Sequence, residues 1–128
     1  MLLMLMMTLA ADQAAPMSPT QDEIVVIGQR LSRWTGKYEI RGAKMKCSTK
    51  TSTKDIEIDA IGCQAFQICT DTLKSRIAAS DDTQLDKKAR LAMKVELRRD
   101  LTDCVMVRRA ELIEALAARR AAKSSIPG

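Results

Sequence analysis

The sequence predicts a small α+β domain in which an N-terminal extended strand and a small β-hairpin are followed by a helical hairpin, the whole stapled by disulfides. Three observations carry this expectation. Between residues 31 and 53, short runs alternate polar and apolar residues and are broken by Gly36 and Gly42, the period of a half-buried strand. From about Ala60 onward, apolar residues recur every three or four positions, the period of a helix. Four cysteines stand among 128 residues with no CxxC pair, which reads as a disulfide framework in an oxidising compartment rather than a zinc or thioredoxin-like site.

Taken in order, the first element is the run MLLMLMMTLAA at residues 1–11. It has the length and composition of a signal-peptide core without a basic leading segment, and Ala10 and Ala11 offer small residues for cleavage. It is too short for a membrane-spanning helix, which needs about 20 apolar residues. The expected location is therefore periplasmic or secreted. Residues 12–21, with two prolines and no apolar period, are expected to be a flexible leader. Residues 22–30, DEIVVIGQR, carry the β-branched run Ile24, Val25, Val26 and Ile27 before Gly28 and read as a strand. Lys37–Ile40 and Lys44–Cys47 then form the two arms of a hairpin. Ile56, Ile58 and Ile61 fit either continuation, because 56 and 58 alternate whereas 58, 61, 65 and 69 are spaced for a helix.

The helical hairpin begins with Ile61, Ala65, Cys69, Leu73 and Ile77, spaced four apart, and turns near Ser80–Thr83, where good N-caps stand. Its second arm carries Leu91, Val95, Arg98, Thr102, Val105, Arg109, Leu112 and Leu116 in four-three alternation. This arm is either one helix or two with a break near Asp100. The small domain spans residues 31–123, and residues 124–128 are expected to be a disordered tail.

Cys47, Cys63, Cys69 and Cys104 can pair in more than one way. A turn near residue 82 would put Cys104 closest to the level of Cys63, favouring Cys63 with Cys104 and Cys47 with Cys69. A break near Asp100 would favour the chain-order alternative, Cys47 with Cys63 and Cys69 with Cys104. Either scheme ties the strands to the helices, because Cys63 and Cys69 point about 120° apart on a helix, and each bridge contributes about 2–4 kcal/mol.

Composition narrows the chemistry. There is no histidine, which removes the commonest general base and metal ligand, and Ser48, Ser52 and Ser75 have no imidazole to activate them. Asp55, Glu57 and Asp59 would line one face of a strand, where carboxylates could hold a cation or act as acid and base; the expected role is a solvated face with Ile56 and Ile58 inward. No catalytic residue, metal or cofactor is expected, and the chain is not read as an enzyme. The net charge of +5 is concentrated on the helical half, at Lys87, Lys88, Lys94, Arg98, Arg99, Arg108 and Arg109 among others. Acidic residues are interspersed, so the plain reading is a soluble mixed-charge surface. Weak contact with anionic lipid or a cell-wall polymer is the partner reading of this charge. Nucleic acid is not expected, since no aromatic is interleaved to stack on bases.

Asp22, Glu23, Ile24, Val25 and Val26 resemble the TonB box of TonB-dependent outer-membrane receptors, and the string continued through Gly28-Gln29-Arg30 is similar to the start of their plug domains. Ile27 stands where the receptors usually carry Thr. The resemblance covers nine residues and implies docking to periplasmic TonB by strand addition, with main-chain hydrogen bonds giving affinity and alternate side chains filling shallow pockets. The rest of the chain cannot be a receptor, because a transporter barrel needs about 22 strands and three aromatics, Trp34, Tyr38 and Phe66, cannot form its girdles. In layout the chain also resembles small cysteine-containing secreted proteins of Gram-negative bacteria. The expected function is a non-catalytic structural or envelope-associated domain; the alternative is a periplasmic interaction protein that presents residues 22–30 to TonB or a similar partner.

Overall fold

The computed structural model describes residues 18–41 and 44–124. The signal-peptide reading of residues 1–11, most of the leader and residues 125–128 of the tail lie outside them. The order is α1 (Pro19–Leu31), β1 (Thr35–Arg41), β2 (Lys44–Thr51), α2 (Ile56–Thr72), α3 (Lys74–Ser80) and α4 (Lys87–Ser124). The α+β class holds, with one antiparallel hairpin set against a helical hairpin.

Its first element is not the expected strand. Residues 22–30 are helical, and so are residues 19–21 of the expected leader. Ser18 accepts a hydrogen bond from the Gln21 N–H while the Gln21 side chain accepts one from the Ser18 N–H, a reciprocal cap that satisfies two otherwise orphaned donors. Pro19 follows at the first helical position, where its missing N–H costs nothing. The β-branched run lowers helix propensity by only a few tenths of a kcal/mol per residue. Against that, Ile24, Ile27 and Leu31 fall on one helical face and pack with Leu112, Ile113, Leu116 and Ala117 of α4. Packing and capping together outweigh the local preference.

β1 and β2 pair in register from Gly36 opposite Thr49 to Arg41 opposite Lys44, with an irregularity at Thr35. One face carries Tyr38, Ile40, Met45 and Cys47, and Tyr38 stacks on Phe66 of α2 with ring centroids 4.2 Å apart. Trp34, just before β1, lies 5% exposed over Gly36 and Gly62. An added Cβ at Gly62 would stand 2.5 Å from its ring. The indole N–H donates to the Thr49 hydroxyl at 3.0 Å, and the Arg109 guanidinium sits 5.4 Å from the ring centroid, a cation–π contact.

α2 and α4 run antiparallel. Asp55 meets Arg120 at one end, Cys69 is bonded to Cys104 midway, and Asp81 meets Lys94 at the other end. α4 is one unbroken helix, so no break occurs near Asp100. The disulfides are nevertheless Cys47–Cys63 and Cys69–Cys104, the chain-order pairing and not the favoured crossed one. The reason is the turn. Residues 81–86 form a loop, and Asp86 rather than Thr83 caps α4 by accepting from the Ala89 N–H. The first turns of α4 therefore extend past the end of α3, and the antiparallel levels centre near residue 88 instead of 82. Cys69 stands level with Cys104, while Cys63 faces the hairpin. Ser124, assigned to the tail, still belongs to α4.

Two glycines should respond oppositely to alanine. Gly28 lies inside α1 with open space where a Cβ would be, so Gly28→Ala should stabilise by about 0.5–1 kcal/mol. Gly62→Ala drives a methyl into the Trp34 ring and should destabilise by about 1–3 kcal/mol. Urea denaturation of the oxidised protein measures both.

Candidate interaction surface

The three carboxylates expected on a strand face stand at the start of α2, where they do structural work. Asp55 is the N-cap, accepting from the N–H groups of Glu57 and Ile58. Arg120 Nη2 reaches both Asp55 carboxylate oxygens at 2.9 and 2.8 Å, and Arg30 approaches at 3.7 Å. Glu57 faces Arg120 and Arg119. Asp59 accepts from the Ser52 and Thr53 hydroxyls and the Thr53 N–H, fixing the link from β2 in which Lys54 takes a positive φ of 68°. Ile58 is buried as expected, but Ile56 is 87% exposed, because the helical period replaces alternation. Burial would raise the pKa of Asp55; the hydrogen bond and charge of Arg120 and the two backbone donors outweigh it and hold the carboxyl below the ordinary range. Hydrogen bonds from Ser52 and Thr53 lower that of Asp59. Among the described residues, no group of three or more Cys, Asp or Glu could hold a metal ion, and all four cysteines are consumed in disulfides.

The residues that resemble a TonB box are placed along α1. Asp22 is in its first turn, Val25 and Val26 are exposed, Ile24 is half-buried and Ile27 is wholly buried. Offering residues 22–26 as an extended strand therefore requires α1 to unwind, and its core contacts through Ile27 and Leu31 hold that unwinding back.

A different surface stands open. At about 100° per residue, Lys88, Leu91, Val95, Arg98, Arg99, Thr102, Met106 and Arg109 of α4 fall within an arc of about 100°. Glu96, Asp100 and Asp103 lie outside this arc, about 40–100° beyond its edge at Arg99. Leu91, Val95 and Met106 are 62%, 63% and 67% exposed. Towards the C-terminus, the same arc carries Ile113, Leu116 and Ala117, which share the core with α1. α1 thus covers only half of a continuous face. Beside the open half, Ile40 of β1, Leu73 between α2 and α3, and Ile77 of α3 line an apolar hollow of about 350 Å³ with Leu97 and Leu101, its rim carrying Lys94 and Arg98. A second hollow of about 330 Å³ adjoins it at Leu101 and runs past Tyr38 and Phe66 to Arg109. Arg109 donates to the Tyr38 hydroxyl at 3.2 Å, and its Nε is buried with no acceptor among the described residues. The four-three row in the sequence contains Leu91, Val95, Arg98, Thr102 and Arg109 of this surface but not Lys88, Arg99 or Met106, and its spacing does not reveal which half a neighbour covers.

No known protein family, curated protein or solved structure matches the chain.

Because the folded pKa values of Asp55 and Asp59 are depressed, the stability they supply is present above the unfolded carboxylate pKa of about 4 and is lost as pH falls through the folded values. Asp55→Asn keeps a cap acceptor but removes the charge that Arg120 faces, so it should cost about 1–2 kcal/mol at pH 7, and thermal melts should show the gap from wild type closing on acidification. In hydrogen exchange, the amides of Ile27 to Leu31 should be protected in the free protein and unchanged by the periplasmic domain of TonB. Loss of that protection on mixing would restore the strand-addition reading.

Proposed function

We propose that this chain is a non-catalytic, disulfide-locked domain associated with the cell envelope, acting through a binding surface rather than a reacting group. The observation that carries the reading is where its chemically capable side chains are spent. The cysteines bridge β2 to α2 and α2 to α4, and Asp55 and Asp59 cap a helix and pin a loop, while the open half of α4 presents apolar and cationic side chains to solvent. Two disulfides belong to an oxidising compartment. The periplasm of a Gram-negative bacterium, reached by way of a signal peptide, is the location that fits the sequence and the bridges together. A docking strand for TonB is the weaker reading, since it needs α1 unwound.

Fractionation of cells combined with thiol alkylation tests this reading. The expected outcome is a chain in the periplasmic or membrane fraction whose cysteines react with maleimide only after reduction. A reduced chain in the cytosol would overturn it.

A further inference from the structure

Resting on the envelope reading, we propose that the open half of α4, together with the tip of the hairpin, docks on the surface of an anionic phospholipid bilayer. The argument begins with what this face lacks. Within its arc no acidic residue interrupts Lys88, Arg98 and Arg99; of the acids outside it, Asp81 is engaged by Lys94 and Asp100 by Arg76, while Glu96 and Asp103 stand exposed beyond its edge. Among the described residues Lys88 and Arg98 make no ion pair, and Arg99 approaches only Asp100, at 3.9 Å. Between these cations stand Leu91, Val95 and Met106, each more than half exposed. Across the apolar hollow Ile40 is also exposed, and Arg41, Lys44 and Lys46 gather around the hairpin tip beside Glu39, which Lys37 pairs at 3.4 Å.

Cations flanking an apolar stripe along about 22 Å of helix match a bilayer interface, where apolar side chains sink about 5–10 Å and the basic ones stay with the headgroups. Other occupants fit less well. A second copy seated on this face would bring Lys88, Arg98 and Arg99 towards their own counterparts. A soluble acidic polymer would satisfy the cations and leave Leu91, Val95 and Met106 in water. An anionic bilayer satisfies both sets.

The test uses the exported, oxidised chain and sedimented vesicles of phosphatidylcholine, with or without phosphatidylglycerol. Binding is expected only to the phosphatidylglycerol vesicles, weakening as salt is raised from about 0.1 M, where charges act over about 10 Å. The triple variant Lys88→Gln, Arg98→Gln, Arg99→Gln should bind about a hundredfold more weakly. Leu91→Gln, Val95→Gln, Met106→Gln should bind at least about tenfold more weakly. Both should keep the wild-type circular dichroism and melting temperature, as all six positions are exposed; should either fail to fold, the lipid and salt dependence of the wild type decides. No binding, equal binding to neutral vesicles or unchanged binding by either folded variant would overturn the proposal. So would equal affinity for soluble polyglutamate, or a dimer that the apolar variant abolishes. An oxidised chain that fractionates with the envelope yet ignores vesicles would sink this inference alone, whereas a cytosolic, reduced chain would sink the envelope reading on which it rests.

Discussion

The packing of Trp34 is the constraint on which the other contacts converge. Its ring fits only because two backbones approach without a Cβ, one at Gly36 on β1 and one at Gly62 on α2. The indole N–H is tied to Thr49 on β2, and Arg109 of α4 lies over the ring. One side chain thus fixes the separation of the hairpin from two helices and shares a cluster with Ile27 and Leu31 of α1. In a chain with three aromatics, a core of aliphatic residues gains much of its specificity from such a large, directional piece. Tyr38, 40% exposed, extends it towards solvent, stacked on the buried Phe66.

Around that centre, α4 serves as the axis for everything else. Its C-terminal half receives α1 on one side and the start of α2 on another, with Arg120 latched to the α2 cap. Among the described residues its N-terminal half meets α3, hairpin side chains and the end of α2, to which the Cys69–Cys104 bridge ties it. The asymmetry follows from length: α4 has 38 residues, whereas α1 has 13 and can cover only part of the face. An amphipathic pattern running the whole length of α4 therefore ends partly in core and partly in water.

How much of this was legible depended on whether the signal was local. The hairpin could be read because alternation at Lys37–Ile40 and Lys44–Cys47 is a property of neighbouring residues. The helical second half could be read for the same reason. In residues 22–30 two local signals conflict: β-branched propensity favours a strand, and the capping sequence Ser18-Pro19-Thr20-Gln21 favours a helix, which packing against α4 then secures. The disulfide pairing was not legible, since it depends on how far α4 overshoots α3, which is set by tertiary packing. The same holds for the open face. Leu91 and Leu116 occupy equivalent places in one repeat, and only the position of α1 makes one a surface residue and the other core.

The two bridges are consecutive along the chain: Cys47 closes on Cys63 before Cys69 and Cys104 are reached. A polypeptide threaded N-terminus first into an oxidising compartment would present its cysteines in that same order. Each could bond to the next one to emerge, without a mispaired intermediate that later needs reshuffling by thiol–disulfide exchange. The crossed pairing would instead have required Cys47 to wait past Cys63. A chain oxidised as it is threaded would in this way reach its native pairs without help from a disulfide isomerase.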